Sequence, residues 1–271
     1  MLANGGEERL LGLLTEAITD QVPVAMATVV STQSSVPRRS GTKMLVFQDG
    51  TQHGTVGGGA MESRVIVAAQ DSMKTGKTQL LSFSLLEPDQ GDPGICGGTV
   101  DIYLEPYMPA HTVFVIGAGH IGRAVVDLAS WLGYRTVVTD DRSERVSEEA
   151  MPNADIRHHG TVAEALAQHK VTEDTSVVVV SRDYAIDADA IPQLLGTPVR
   201  YLGVMGSKRR WKTVRDELLA AGVDEVALDR IHVPVGIELH AETVEEIAVS
   251  ILSEVIRVTR SETDVGSDAL P

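Results

Sequence analysis

One cysteine, Cys96, in 271 residues has nothing to pair with inside the chain. Internal disulfides are excluded, and so is a zinc site built from several cysteines of one chain. Aromatic residues make up 4%, too few for base-stacking platforms. Positive charge is scarce as well: 23 Lys and Arg against 38 Asp and Glu leave a net charge of −15. Such a surface repels nucleic acid and anionic membrane, so neither is expected as a partner. The first residues lack a basic stretch before an apolar run, and no segment reads as a membrane span. Neither a signal peptide nor a membrane span is expected, and the composition suits a cytoplasmic protein. The eight histidines form no H-E-x-x-H, and the adjacent His158 and His159 read as a surface pair rather than metal ligands. No metal site is expected. Paired carboxylates and nucleophile–base pairs are also missing, so no residue is singled out as catalytic.

What is present is a core. Hydrophobic residues make up 43%, enough for a sizeable core, and 271 residues suffice for one large or two ordinary domains. The chain is organised around Val113-Phe-Val-Ile-Gly-Ala-Gly-His-Ile-Gly122. The four apolar residues read as a buried parallel strand, and Gly117, Gly119 and Gly122 form G-x-G-x-x-G. Val125, Val126, Leu128, Ala129 and Leu132 follow at helical spacing. Arg135 to Thr139 reads as a second strand ending at Asp140. This is the dinucleotide-binding fingerprint in its required context. Gly117 allows the tight turn, Gly119 lets backbone approach a pyrophosphate, and Gly122 lets the helix sit close to the sheet. His120 follows the second glycine and lines the turn. Asp140 is placed to meet a ribose hydroxyl and Arg142 a 2′-phosphate, which leaves NAD against NADP undecided.

Before this motif, Glu7 to Asp20 reads as a helix, Val24 to Ser31 as a strand and Lys43 to Phe47 as another. Asp49-Gly50 marks a hairpin. A helix spans about Ala60 to Thr75, stopped by Gly76, and strands cover Gln79 to Leu85 and Thr99 to Glu105. The first hundred residues therefore form a small α+β unit. After a short proline-containing linker, βα alternation continues. Thr161 to His169 reads as a helix, Ser176 to Val180 as a strand, Ala188 to Leu195 as a weaker helix interrupted near Pro192, and Val199 to Val204 as a strand. Ser207 to Ala221 is a helix. The last helix runs from about Thr243 to Thr259, with Thr243 and Glu246 as a capping box. The expected domains are 1–107 and 112–260, with a frayed tail at 261–271. The expected fold class is α/β: a small α+β domain followed by a doubly wound parallel sheet of Rossmann type.

Four stretches outside the fingerprint bear on chemistry. Ser35 and Arg38 lie in a polar loop whose hydroxyls and guanidinium could hold an anionic group, although taken alone it reads as an ordinary turn. Gly57-Gly58-Gly59 runs into a helix and makes a backbone nest for phosphate or carboxylate. Glu62, in the first turn of that helix, either compensates the dipole or accepts hydrogen bonds from a heterocycle. Cys96, flanked by Gly97 and Gly98, is either a buried inert thiol or an exposed one facing a ligand. Ser207 and Lys208 begin a basic cluster with Arg209 and Arg210. It reads as a solvated helix face or as an anion clamp at the carboxyl ends of the strands.

These stretches together resemble the XdhC/CoxI family of molybdoenzyme accessory proteins. The resemblance covers nearly the whole chain. It rests on Ser34-Ser-Val-Pro-Arg38, Gly41-Thr-Lys-Met44, Gly54-Thr-Val-Gly-Gly-Gly59 with Glu62, and Cys96-Gly-Gly98 leading to Glu105-Pro106. It continues through Gly117-Ala-Gly-His120, Asp140-x-Arg142, Tyr201-Leu-Gly-Val-Met-Gly-Ser-Lys208, Pro234-Val-Gly236 and Ala241-Glu-Thr243 with Glu245-Glu-Ile-Ala248. The resemblance implies a cytoplasmic chaperone, generally oligomeric and often a homodimer. Such a chaperone binds molybdopterin, supports sulfuration of the molybdenum cofactor with a NifS-like cysteine desulfurase, and hands the cofactor to a xanthine dehydrogenase or related molybdenum hydroxylase. Two positions depart from the family pattern. Ser181-Arg-Asp-Tyr184 stands where a histidine commonly ends the motif, and His240 stands where a glycine is expected. The competing reading is an NAD(P)-dependent oxidoreductase whose first domain binds substrate. A third is a Rossmann-type scaffold acting through protein contacts alone.

Overall fold

The computed structural model describes residues 4–33, 38–84 and 98–261, and the chain divides into two compact units between Pro109 and Ala110. The first contains α1 (Asn4–Thr19), β1 (Val24–Gln33), β2 (Lys43–Phe47), β3 (Gln52–Gly54), α2 (Gly59–Thr75), β4 (Gln79–Ser84) and β5 (Thr99–Tyr107). Its strands are antiparallel in the order β3-β2-β1-β5-β4. The two-residue period of β1 sends side chains to opposite faces. Val24 and Met26 pack with Leu10, Leu14 and Ala17 of α1, whereas Ala25, Ala27 and Val29 pack with Met61, Val65, Ala69 and Met73 of α2. The sheet thus buries one helix on each face. Gly76 ends α2 at φ 67°, the left-handed stop that its sequence position predicts.

The second unit contains β6 (Thr112–Ile116), α3 (His120–Trp131), β7 (Arg135–Asp140), a single 3-10 turn (Ser143–Arg145), β8 (Ile156–His159), α4 (Val162–Gln168), β9 (Thr175–Val179), α5 (Tyr184–Leu195), β10 (Tyr201–Val204), α6 (Lys208–Ala220), α7 (Glu225–Leu228) and α8 (Val244–Ser261). The sheet is parallel, in the order β10-β9-β6-β7-β8. Helices α3 and α8 cover one face, and α4, α5 and α6 the other. All five residues of β9 are consequently buried, which is why that strand reads as an unbroken apolar or small-residue run. This is the doubly wound Rossmann architecture. Strand order reverses between β6 and β9, so the switch point lies at their carboxyl ends, where ligands bind in such sheets.

Local chemistry sets the helix ends. Thr243 and Glu246 form the expected box at α8: the Thr243 N–H donates to Glu246 Oε2 at 3.0 Å and the Glu246 N–H to Thr243 Oγ1 at 3.2 Å. Helix α5 begins at Tyr184, before the expected Ala188, because the Asp183 carboxylate accepts the Ala185 N–H at 3.0 Å and caps it. Pro192 sits in the last turn of α5 and does not break it. Strand β8 is a short edge strand without a clear signal of its own. It overturns the surface-pair reading of His158 and His159: alternation turns His158 inward, to 7% exposure, with its ring edge-on to His169, while His159 stays exposed. No helix among the described residues is long and apolar enough to cross a membrane.

Candidate functional site

The three glycines after β6 have different tasks. Gly117 adopts φ +108°, and a Cβ there would lie 2.7 Å from the Val180 carbonyl oxygen. A Cβ on Gly122 would collide with the Gly117 carbonyl oxygen, so this glycine is what lets α3 rest on the turn. Gly119 is the N-cap of α3 with φ −77°, and a Cβ there would meet none of the described residues within 4 Å. The fold itself therefore leaves space in front of Gly119, at the head of a helix whose first-turn N–H groups have no intrahelical acceptor. That is a place for an anion. His120 opens α3 and is exposed.

Asp140 and Arg142 are bonded to each other rather than left waiting for a ribose and a 2′-phosphate. Asp140 Oδ1 accepts Arg142 Nε–H at 2.8 Å and the Arg142 main-chain N–H at 3.0 Å. Its Oδ2 accepts Arg142 Nη2–H at 2.9 Å and the Ala118 N–H at 2.8 Å. Burial works against ionisation of this carboxyl, but the Arg142 hydrogen bonds and the Ala118 amide win and hold it below the usual range. Beside this pair, Arg182 donates to both oxygens of Asp141, at 2.7 and 2.9 Å. That contact lowers the Asp141 carboxyl to about 2.

A pocket of about 270 Å³ opens at the carboxyl ends of the strands, lined by Gly117, Thr139, Asp140, Asp141, Ser181 and Arg182 among others. It falls just below the roughly 300–1,000 Å³ range of ligand pockets, so it suits one nucleoside rather than a whole dinucleotide. Thr139, 1% exposed, lines it, and its Oγ1 has no hydrogen-bond partner among the described residues. Thr139, Asp141, Arg182 and Asp189 are site residues that sequence reasoning missed. For the first three the available signal was position, since they stand at or just past the carboxyl end of a parallel strand.

The basic cluster after β10 divides. Ser207 caps α6 by accepting the Arg210 N–H at 3.2 Å, and Lys208 and Arg209 are exposed. Arg210 turns inward and pairs with Asp187, which is 1% exposed and also accepts the Ser181 hydroxyl at 2.5 Å. Burial raises the Asp187 carboxyl, and Ser181 and Arg210 oppose that rise. Arg210 therefore serves a buried carboxylate rather than an anion clamp.

In the first unit the glycine nest forms, with Gly57, Gly58 and Gly59 at φ 153°, 88° and 63°. The Gly57 and Gly58 amides, however, are taken from within the chain. Glu62 Oε2 accepts the Val56 and Gly58 N–H groups, each at 3.1 Å, and the Thr55 hydroxyl at 2.5 Å. The Gly57 N–H goes to Thr55 Oγ1 at 3.2 Å. The Glu62 carboxylate therefore already occupies part of the nest. Burial opposes the charge on Glu62, but Thr55, Gln52 and the two amides outweigh it and hold the carboxyl low. Its Oε1 takes Gln52 Nε2–H at 2.9 Å and is the oxygen left to face a further donor. Arg38 is half-buried and Gly98 is buried ahead of β5. Ser35, Cys96 and Gly97 lie outside the described residues.

Comparison with known proteins places these features. The model of the XdhC Rossmann domain matches residues 113–255, and that of the XdhC and CoxI family matches residues 17–84. YqeB of Escherichia coli strain K12, an uncharacterized protein, is 30% identical over 92% of this chain and 46% of its own length. A protein of Bacillus subtilis strain 168 described as a probable xanthine dehydrogenase component is 26% identical over 60% of this chain and 47% of its own. The chain thus spans about half the length of these two relatives. The molybdenum cofactor insertion chaperone PaoD of E. coli K12 is 23% identical, over 92% of this chain and 87% of its own. A solved structure from Bacillus halodurans, described as a xanthine dehydrogenase, superposes with a TM-score of 0.53 at 23% identity, covering 95% of this chain and 97% of that one. That likeness speaks to the fold.

Proposed function

The chain belongs to the XdhC and CoxI family, and from that premise we propose that it is a molybdenum cofactor accessory protein. It holds the cofactor as cargo, supports its sulfuration with a NifS-like cysteine desulfurase, and delivers it to a xanthine dehydrogenase-type molybdenum hydroxylase. It acts in the cytoplasm as a homodimer. The observation that carries this reading is the open space before Gly119 at the head of α3, with a nucleoside-sized pocket beside it. An anionic, nucleotide-bearing ligand fits there: its phosphates face the first turn of α3 and its nucleoside faces Thr139 and Asp141. The similarity to PaoD over most of both chains supports the cargo assignment. Read by itself, the first unit offers Ser35, Arg38, Cys96, Gly97, Gly98 and the Glu62 carboxylate as candidate cargo contacts.

The same pocket favours a second reading, an NAD(P)-dependent oxidoreductase. Within the second unit the acid–base groups for hydride chemistry are poorly placed, since His120 and Tyr184 are both exposed at helix starts. The test is to purify the protein from a molybdenum-competent host and assay bound molybdopterin and bound NAD(P). Retained molybdopterin is expected, reduced by Cys96→Ser with the fold intact. Stoichiometric NAD(P) with hydride transfer and no molybdopterin would overturn the chaperone reading.

A further inference from the structure

The pocket beside the glycine turn has a charge pattern that discriminates between nucleotides. Three carboxylates line it, those of Asp140, Asp141 and Asp189, against one guanidinium, that of Arg182. That guanidinium is already bidentate on Asp141, and Arg142 is bidentate on Asp140. The Asp189 carboxylate, on α5, accepts only the Gln193 side-chain amide, at 3.1 Å, among the described residues. Strand β6 lies between β7 and β9, so the Asp141–Arg182 pair bridges from the end of β7 to the end of β9 across the end of β6. Thr139 lies in the same lining, and its Oγ1 is buried without a partner among the described residues.

We propose that this pocket accepts a nucleotide whose ribose carries free 2′- and 3′-hydroxyls and rejects one bearing a 2′-phosphate. The proposal rests on the reading of this unit as nucleotide-binding. Ribose hydroxyls are neutral donors, and the rim is rich in acceptors. A 2′-phosphate brings up to two negative charges toward three carboxylates. To find a cation it must draw Arg182 from Asp141 or Arg142 from Asp140. The second move strands a carboxylate whose side chain is 3% exposed, and a buried charge without its partner is strongly disfavoured. Selection comes from repulsion as much as from attraction. The Arg142 position that the sequence offers to a 2′-phosphate is thereby closed by its own neighbour.

NAD⁺ and NADP⁺ differ only at this hydroxyl, and titration calorimetry of the full chain with each is the test. NAD⁺ is expected to bind at least about tenfold more tightly. Asp141→Asn removes one carboxylate and releases Arg182, so it should lower the NAD⁺ to NADP⁺ preference by about tenfold. Asp189→Asn should lower it in the same direction by a smaller factor. NADP⁺ binding as tightly as NAD⁺ in the wild type, or a preference that neither variant moves, overturns the proposal while leaving the nucleotide reading intact. Binding of neither nucleotide overturns both.

Discussion

Asp140 Oδ2 accepts the Ala118 N–H at 2.8 Å, which ties the end of β7 to the glycine turn after β6. The residue that the fingerprint assigns to a ribose is thus also the clasp of the turn that receives the phosphates. Asp140→Ala removes the acceptor of a buried amide and the partner of Arg142. Because Arg142 is 31% exposed and can reach water, the loss is expected at about 2 kcal/mol rather than the full 3–5 of a wholly buried pair. Urea unfolding followed by far-UV circular dichroism measures it, and a change under about 0.5 kcal/mol would remove Asp140 from this role.

Gly119 and Gly122 should behave in opposite ways. Gly122→Ala forces a Cβ against the Gly117 carbonyl oxygen, so α3 must lift from the turn, at a cost of about 3 kcal/mol or more. Gly119→Ala meets none of the described residues within 4 Å and should change stability by less than about 1 kcal/mol, while weakening nucleotide binding by filling the ligand space. Melting curves and nucleotide titration of the two variants separate the effects.

Glu62 organises the glycine nest of the first unit. Glu62→Ala leaves the Val56 and Gly58 amides and the Thr55 hydroxyl without their shared acceptor. The site is partly open to water, so the expected loss is about 1–2 kcal/mol. Amide hydrogen exchange at Val56 and Gly58 should accelerate in the variant, and protection equal to wild type would count against the assignment.

Acid should weaken the second unit through Glu254. Its Oε2 accepts the Tyr201 hydroxyl at 2.7 Å and the Gly236 N–H at 2.8 Å. Its Oε1 faces Arg257 at 3.1 Å and His232 Nδ1 at 3.2 Å. Burial pushes this carboxyl up, but Tyr201, Gly236 and His232 outweigh it and hold it below the ordinary 4.5. A depressed carboxylate contributes stability fully above its unfolded value and loses it as pH falls through the folded value. Asp140 acts in the same direction. Asp187, raised by burial, has the opposite sign: its contribution is present at low pH and fades as pH rises through its raised value. Stability is therefore expected to decline below about pH 4.5, with a shallower decline in Glu254→Gln. Denaturant midpoints across pH give the slopes, and identical slopes would exclude Glu254 as a source.

His240 adopts φ +53°, in the left-handed region that favours glycine. A left-handed conformation costs a side-chain-bearing residue about 1–2 kcal/mol. His240→Gly recovers this, less the extra freedom of glycine in the unfolded chain, for a net gain of about 0.5–1 kcal/mol. The exposed His240–Glu238 contact at 3.4 Å adds little in wild type. A lower melting temperature in His240→Gly would contradict this account.

The sequence by itself determined the architecture. Apolar runs at 113–116 and 177–180, the glycine spacing of 117, 119 and 122, and the caps at Thr243 and Gly76 are local signals. Local signals are readable because each acts on its own few residues. Tertiary structure alone decided which charged side chains remain available to a ligand. Asp140 and Arg142 are two residues apart and could each have faced outward, but the parallel sheet buries Asp140 beside the Ala118 amide, and Arg142 follows its charge. Arg210 reads as one of a surface cluster until α5 places Asp187 beneath it. Arg182 and Asp141 are 41 residues apart and meet only because their strands flank β6 in the sheet. Pairing of charges across a sheet depends on strand order, and no spacing along the chain encodes it directly.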